Sequence, residues 1–196
     1  MIAAVVLAAG ESTRFGRPKQ LLSYHGRSLL RHAVDCAIRG GCEPVFVVLG
    51  PRVEDLRPEL EETTSRVVVN ADWQQGLSTS VRAGVHAVQQ IPAARALLLL
   101  TCDQPRITPT VVRDLRRQYE EARSRIVASE YAGAVGVPAL FDRSLFAELL
   151  VLRGACGART VLQARAEEVD RVAWPDGALD IDTQKDYDKL VANDLG

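Results

Sequence analysis

Short runs of apolar residues recur along the chain, and stretches in which apolar residues have helical spacing separate them. The strongest runs lie at 2–7, 44–50 and 96–101. A run without polar alternation is typical of a strand that is buried on both faces, as in a parallel sheet covered by helices. Weaker runs of the same kind predict further strands at 66–69, 125–128 and 169–173.

Helix signals fill the gaps between the predicted strands. Ser28 is expected to be the N-cap of the first helix, and Pro51 is expected to open a helix that reaches about Glu62. Thr183 can cap the last helix together with Asp186, which stands at the capping-box position. Further helices are predicted at about 78–90, 108–123 and 142–150 and from about 157 onwards.

Strands and helices that alternate in this way are typical of a doubly wound, Rossmann-like α/β fold with a mostly parallel sheet and helices on both faces. The segment 131–141 carries two glycines and is expected to add a crossing hairpin or an antiparallel strand. The 196 residues contain no repeat, low-complexity tract or linker. We therefore expect a single domain over 1–196.

Charge and composition exclude several classes of protein. Lys plus Arg (24) nearly balances Asp plus Glu (25), so we expect no nucleic-acid surface. The apolar runs are far shorter than a membrane span, and no charged segment precedes the first run, so we expect a cytoplasmic protein without a membrane contact. The four cysteines lack zinc spacing and predict separate reduced thiols, and the three histidines have no spaced nucleophile.

The segment after the first strand carries the strongest chemical signal. It starts with three small residues at 8–10 and continues with the cations Arg14, Arg17 and Lys19. Open α/β sheets bind ligands at the carboxyl ends of their strands, and short side chains let an anion approach the backbone N–H groups. The loop therefore predicts a polyphosphate site, although its spacing fits neither the P-loop nor the dinucleotide fingerprint. The alternative interpretation is a glycine-containing loop with surface cations.

A carboxylate follows the most apolar strand of the chain. Asp103 comes directly after this run, next to Cys102 and close to Pro105. A carboxylate at this edge of the sheet suits a magnesium ion that bridges to substrate phosphates. Asp103 could instead only turn the chain before the proline. Cys102 is expected to be a packed thiol, because magnesium prefers hard oxygen ligands.

Two helix starts offer further candidate contacts. The hydroxyls at 78–80 cluster where free N–H groups and the helix dipole favour an acceptor or an anion, although Ser78 alone could simply be an N-cap. Arg159 stands in the first turn of another predicted helix, where a lone cation opposes the dipole unless an anion joins it. A solvated surface cation is the alternative for Arg159.

Several motifs resemble one known family. L-A-A-G-x-S-x-R-F-G-x-x-K at 7–19 resembles the signature of MobA-like nucleotidyltransferases, especially the molybdenum cofactor cytidylyltransferase branch. C-D-Q-P at 102–105 is similar to that branch's metal motif, and N-x-x-W-x-x-G-x-S-x-S at 70–80 looks like the family's nucleobase-side segment. The resemblance covers nearly the whole chain, as far as D-T-x-x-D at 182–186.

The resemblance implies an enzyme that moves the NMP of an NTP onto an acceptor phosphate and releases pyrophosphate. It implies CTP as the nucleotide, molybdopterin or the molybdenum cofactor as the acceptor, and Mg²⁺ or Mn²⁺ as the metal. A molybdoenzyme or its insertion chaperone is an implied partner. The N-terminal half would bind the nucleotide, and the region at about 130–170 would bind the acceptor.

The resemblance also implies roles for individual residues. The implied nucleotide-binding residues are Leu7, Ala8, Ala9, Gly10, Arg14, Lys19, Asn70 and Ser78. Arg14, Lys19 and Asp103 are implied to be catalytic. The implied metal ligands are Asp103 and Asp182, with Asp180 as an alternative to Asp182. The implied acceptor-binding residues are Pro138, Gly157 and Arg159.

The chain departs from the family pattern in its acceptor half. Ala155 stands where G-D-x-G-A-R has an acidic residue, and Val137 stands where G-[HN]-P has His or Asn. Because both departures lie in the acceptor half, the identity of the acceptor is less determined than the identity of the nucleotide. A transferase of the same fold that uses GTP or a sugar phosphate remains an alternative. A non-catalytic nucleotide-binding partner of a molybdoenzyme is a second one, which the retained carboxylates argue against.

Overall fold

The computed structural model of the protein describes residues 1–12, 15–122 and 124–194. The strands are, in chain order, β1 (Ile2–Ala8), β2 (Ser23–Tyr24), β3 (Arg27–Ser28), β4 (Val45–Leu49), β5 (Arg66–Val69), β6 (Ala96–Thr101), β7 (Ile126–Tyr131), β8 (Ala134–Asp142) and β9 (Val169–Ala173). The α-helices are α1 (Leu29–Arg39), α2 (Val53–Leu56), α3 (Leu77–Gln89), α4 (Pro109–Ala122), α5 (Phe146–Leu150), α6 (Arg159–Ala164) and α7 (Gln184–Asp194). No helix within the described ranges is both long and apolar enough to cross a membrane.

The main sheet has seven strands in the order β5-β4-β1-β6-β8-β7-β9. All neighbouring pairs are parallel except those of β8, which is antiparallel to both β6 and β7. This topology confirms the predicted Rossmann-like fold, including an antiparallel strand in its second half. Strands β2 and β3 form a separate small hairpin.

Helices cover the sheet on both faces. Alternate residues of each central strand point to opposite faces, so each strand contributes side chains to two separate core clusters. Ala4 and Val6 of β1 belong to a core cluster that includes residues of α1 and α4. Ala3 and Val5 belong to a second cluster that includes residues of α3, α5 and α6. Burial on both sides explains why the strand sequence is apolar at every position.

Helix α3 lies unusually close to β1. A Cβ atom on Gly84 would be 2.3 Å from Cγ1 of Val5, so a larger residue would push the helix away from the strand. The backbone of α3 can approach the sheet here because Gly84 has no side chain. This contact sets the distance between the middle of α3 and the middle of β1.

The helix predicted from Pro51 to about Glu62 is wrong. The chain forms only the short helix α2 and then a 3₁₀ turn over Arg57–Leu60. Pro58 lies at the start of that turn and has no backbone N–H to continue α-helical bonding, which explains the interruption.

The predicted helix caps are confirmed at both ends of the chain. The Ser28 hydroxyl accepts a hydrogen bond from the backbone N–H of Arg31 at the start of α1. At the start of α7, the Asp186 carboxylate accepts from the backbone N–H of Thr183, and the Thr183 hydroxyl accepts from the N–H of Asp186. This reciprocal pair fixes the chain directly after Asp182.

Candidate active site

The loop after β1 is held by one buried side chain, that of Gln20. Its amide nitrogen donates to the carbonyl oxygens of Ala8 at 3.0 Å and Gly10 at 2.7 Å. Its amide oxygen accepts from the Ser12 hydroxyl at 3.1 Å, and Ser12 Oγ accepts from the backbone N–H of Lys19. Gln20 therefore ties the beginning of the loop to its end.

A neighbouring glycine allows this loop to lie close to the end of β4. A Cβ atom on Gly50 would be 2.4 Å from the carbonyl oxygen of Ala9, which is backbone and cannot rotate away. By contrast, a Cβ atom on Gly10 would meet no atom of the described residues within 4 Å. Gly50 is thus required for packing, whereas no described residue packs against the Cα of Gly10.

Two carboxylates meet the ammonium group of Lys19. Lys19 Nζ lies 2.7 Å from Oδ2 of Asp103 and 3.1 Å from Oδ1 of Asp182. Lys19 and Asp103 are only partly exposed, whereas Asp182 is more than half exposed at 55% of its side chain. Two residues that the resemblance assigned to catalysis, Lys19 and Asp103, therefore lie together with Asp182, which it assigned to metal binding.

A backbone contact brings Asp182 to this position. The N–H of Ile181 donates to the carbonyl oxygen of Asp103 at 2.9 Å. The Ile181 side chain is fully buried in a small cluster with Leu22, Leu29 and Leu190. Packing of α7 against α1 thus holds the segment 180–182 beside the end of β6.

Burial and neighbouring charges shift the pKa values of Lys19 and Asp180. Burial lowers the pKa of Lys19, but the adjacent Asp103 and Asp182 outweigh burial and raise it well above its usual value. Asp180 is exposed as a residue, yet partial desolvation of its carboxyl group, with the charges of Asp103 and Asp182, raises its pKa to about 6. The cluster therefore contains more negative charge than Lys19 alone neutralises.

The donor chemistry of this cluster fits a hard divalent cation. Asp103 and Asp182 offer carboxylate oxygens, which are the protein ligands that Mg²⁺ and Mn²⁺ prefer. Within the described ranges, no three or more His, Cys, Asp or Glu side chains are grouped so that they could hold a metal by themselves. Two carboxylates would hold such an ion only if water or substrate phosphates supplied its other ligands.

The predicted nucleobase-side residues lie at the start of α3. The Asn70 amide nitrogen donates to Thr79 Oγ1 at 2.8 Å and Ser80 Oγ at 3.0 Å, and its oxygen accepts from the N–H of Asp72. The N-cap of α3 is Gly76, so Ser78 is not the N-cap. Ser78 is fully buried, and its hydroxyl has no hydrogen-bond partner among the described residues.

A cavity of about 300 Å³ opens beside the ends of β1 and β6. Its walls are mostly apolar and include Leu7, Leu77, Thr101, Tyr131 and Val137, together with Gly157 and Arg159. Pro138 does not line this cavity, because it is buried in β8, where its carbonyl oxygen accepts from the Ser129 hydroxyl. The structure thus brings two of the three predicted acceptor residues together.

Other predicted site residues have simpler positions. Leu7, Ala8 and Ala9 are buried at the end of β1. Arg14 lies outside the described residues. Cys102 is a packed thiol as predicted, because it is buried in the core, and burial raises its pKa to about 12.

Sequence reasoning missed several residues that hold the site. Gln20 and Gln104 are buried polar residues that directly follow Lys19 and Asp103 in the chain. Gln104 stands inside the motif at 102–105, whereas Gln20 comes just after the motif at 7–19, and this proximity is the only sequence signal for them. Gly50 is the last residue of a predicted strand and has no special backbone angle. Tyr131 gave no signal at all, because its hydrogen bonds with Gln104 and Val137 form only when β7, β8 and the loop after β6 pack together.

Comparisons with known proteins agree with this geometry. The family model described as "MobA-like NTP transferase domain" matches residues 4–170. "Nicotine blue oxidoreductase" of Paenarthrobacter nicotinovorans is 31% identical over 97% of this chain and 96% of its own length. A "Probable molybdenum cofactor guanylyltransferase" of Mycolicibacterium paratuberculosis is 26% identical over 97% of this chain and 95% of its own length.

Solved structures show the same architecture. Rv0371c of Mycobacterium tuberculosis, in a complex with manganese, is 31% identical, with a TM-score of 0.81 over 97% of this chain and 98% of that one. A nucleotidyl transferase of Methanothermobacter thermautotroptrophicus has a TM-score of 0.81 at 23% identity, covering 100% of this chain and 98% of that one. At that identity the second likeness concerns the fold alone.

Replacing Gln20 with leucine should loosen the loop after β1. The change leaves the carbonyl groups of Ala8 and Gly10 without their donor, and each buried unsatisfied group costs about 1–3 kcal/mol. We expect a loss of about 2 kcal/mol in the free energy of unfolding, measured by urea denaturation. The exposed Gln90→Leu is the control and should change stability little; equal losses in the two variants would contradict this role of Gln20.

Proposed function

We propose, since the chain belongs to the family of MobA-like NTP transferases, that it moves a nucleoside monophosphate from CTP onto a molybdopterin-type acceptor and releases pyrophosphate. One observation carries this proposal: Lys19 lies between Asp103 and Asp182, at the end of the loop that follows β1. The motifs of the chain support CTP and the molybdopterin-type acceptor. One domain would serve both substrates, with the acceptor at about 130–170.

In this proposal the loop after β1 receives the nucleotide. Ala8 and Gly10 have their carbonyl groups held by Gln20, so this part of the loop keeps one conformation when a ligand approaches. The cations Arg14 and Lys19 would neutralise the phosphates. Asn70 and Ser78 would contribute to binding at the start of α3, where no described residue bonds to the buried Ser78 hydroxyl.

Asp103 and Asp182 would hold Mg²⁺ or Mn²⁺. Such an ion, when bound, neutralises phosphate charge and orients the reacting phosphate. The manganese complex of Rv0371c supports metal use in a relative. Lys19 would then exchange its carboxylate partners for substrate phosphates, which keeps its charge paired throughout.

The chain needs no general base for this reaction. An acceptor phosphate is already an anion at neutral pH, so its oxygen can attack the α-phosphate directly while pyrophosphate leaves. Positive charge and alignment must therefore supply the rate. An active site with cations and carboxylates but without histidine is consistent with that requirement.

The acceptor would enter the cavity lined by Gly157 and Arg159. Arg159 forms no ion pair with another described residue, so its guanidinium is available to an anion. Pro138 would act from the buried side of β8 rather than by contact. A molybdoenzyme or its insertion chaperone would take the product, and free cysteines are consistent with a cytoplasmic reaction.

The proposal is tested by incubating the protein with each NTP, Mg²⁺ and molybdopterin, measuring pyrophosphate and identifying the product by mass. Asp103→Asn should lower turnover by at least about a hundredfold and leave cooperative unfolding intact. The exposed Asp188→Asn should leave turnover unchanged. NTP binding without pyrophosphate release would instead support a non-catalytic partner, and activity on nicotine blue would favour the function named for the oxidoreductase relative.

Removing Lys19 should strengthen metal binding in the absence of nucleotide. The ammonium group lies within 3.1 Å of both carboxylates and competes with any cation for them. We expect Lys19→Met to bind Mn²⁺ at least about tenfold more tightly, as measured by the EPR signal of free Mn²⁺. Lys185→Met, on the exposed side of α7, is the matched control. Equal Mn²⁺ affinities in all three proteins would place the metal elsewhere.

The nucleobase preference can be tested at Ala9. Guanylyltransferase relatives resemble L-A-G-G where this chain has L-A-A-G, and Ala9, which carries the extra methyl group, is buried directly after β1. We expect kcat/KM to favour CTP over GTP by at least about tenfold, or about 1.4 kcal/mol. Ala9→Gly should weaken this preference without reversing it. Ala93→Gly, at the opposite edge of the sheet, is the control and should leave the preference unchanged. Equal kcat/KM values in the unmutated protein would contradict the CTP assignment.

A further inference from the structure

One hydroxyl group connects the carboxylate cluster to the wall of the cavity. Gln104, which follows Asp103 directly, is buried, and its amide nitrogen donates to Tyr131 Oη at 3.4 Å and to the Gly177 carbonyl at 3.1 Å. Tyr131 Oη in turn donates to the carbonyl oxygen of Val137 at 2.9 Å. Val137 and Tyr131 both line the cavity.

The fold reserves this place for the Tyr131 ring. A Cβ atom on Gly136 would lie 2.3 Å from Tyr131 Oη, and one on Gly177 would lie 2.5 Å from Tyr131 Cδ1. Trp174 packs edge-to-face against the ring, with 5.7 Å between the centroids. Two glycines and one tryptophan thus fix the position of the hydroxyl.

The wall that Tyr131 supports lacks a strand neighbour on one side. The pairing of β8 with β6 ends at Ala139 and Leu99, whereas β8 begins five residues earlier, at Ala134. The described residues give the stretch 134–137 only β7 as a strand neighbour. Hydrogen bonds from side chains must therefore fix the distance between this stretch and Asp103.

We infer that Tyr131 and Gln104 are positioning residues that hold the acceptor cavity at a fixed distance from the carboxylates Asp103 and Asp182. The inference rests on the proposed function, in which the acceptor phosphate attacks in line from that cavity. A displacement of about 1 Å can cost a hundredfold in the rate of such a reaction. Tyr131 and Gln104 do not touch the substrates in this proposal: they fix the positions of Val137 and Asp103, and they have no role in nucleotide affinity.

The test compares two tyrosines that support opposite ends of β8. Tyr131→Phe removes the hydroxyl at the cavity, and Tyr119→Phe removes the hydroxyl that donates to Asp142 at 2.7 Å at the other end of the strand. With CTP, Mg²⁺ and molybdopterin, Tyr131→Phe should lower kcat at least about tenfold while the KM for CTP changes less than about twofold. Tyr119→Phe should leave both constants unchanged, even where it lowers the midpoint of thermal unfolding.

Gly136→Ala is a second variant, which displaces the Tyr131 hydroxyl without removing it. Its methyl group would displace Tyr131 Oη, and without that oxygen the nearest ring atom lies 3.0 Å away. Gly136→Ala should therefore lower kcat on its own but add little in the Tyr131→Phe background. Additive effects, or equal kcat values for Tyr131→Phe and Tyr119→Phe, would overturn the inference and leave nucleotidyl transfer standing. A wild-type protein that releases no pyrophosphate would overturn the proposed function and this inference with it.

Discussion

The parallel pairing of β1 with β4 on one side and β6 on the other determines where this protein can carry out chemistry. Because the three strands run in the same direction and are buried on both faces, the loops that follow Ala8 and Thr101 emerge at one edge of the sheet. The ladders use the backbone groups of the strands, so free polar groups occur only beyond the strand ends. Lys19 and Asp103 meet there although 84 positions separate them in the chain.

Charge balance at that edge explains the arrangement of the second half. Asp103, Asp180 and Asp182 lie near a single ammonium group, and desolvation together with the charges of the other two carboxylates raises the pKa of Asp180 to about 6. Carboxylates in such proximity destabilise one another unless cations compensate them. The fold tolerates the cluster because Ile181 is buried beside it and bonds to the Asp103 backbone. Core packing thus holds the segment 180–182 beside Asp103, although repulsion between the carboxylates alone would push the two apart. Such an arrangement is expected of a site that binds cationic or strongly polar ligands.

The sequence predicts the parts of this structure that depend on local pattern. The bounds of β1, β4, β5, β6 and β9 follow from apolar runs, and the loops that carry Lys19 and Asp103 follow from their motifs. The prediction of one long helix after Pro51 is wrong because Pro58 interrupts the α-helical hydrogen bonds. The spacing of apolar residues alone does not reveal this interruption. The roles of Gln20, Gly50 and Tyr131 could not be predicted, because they consist of contacts with backbone atoms of other elements or loops. Such contacts depend on how whole elements pack, and the pattern of a single sequence does not show this packing.

Two neutral amides brace the two loops that carry the charged groups. Gln20 is 2% exposed and holds the loop after β1, and Gln104 is 3% exposed and holds the loop after β6. A charged residue in either place would need a buried partner and would change the potential that phosphates and cations meet nearby. A glutamine can donate and accept hydrogen bonds without adding charge. Gln20 and Gln104 therefore fix the two loops without adding a charge beside Lys19, Asp103 and Asp182.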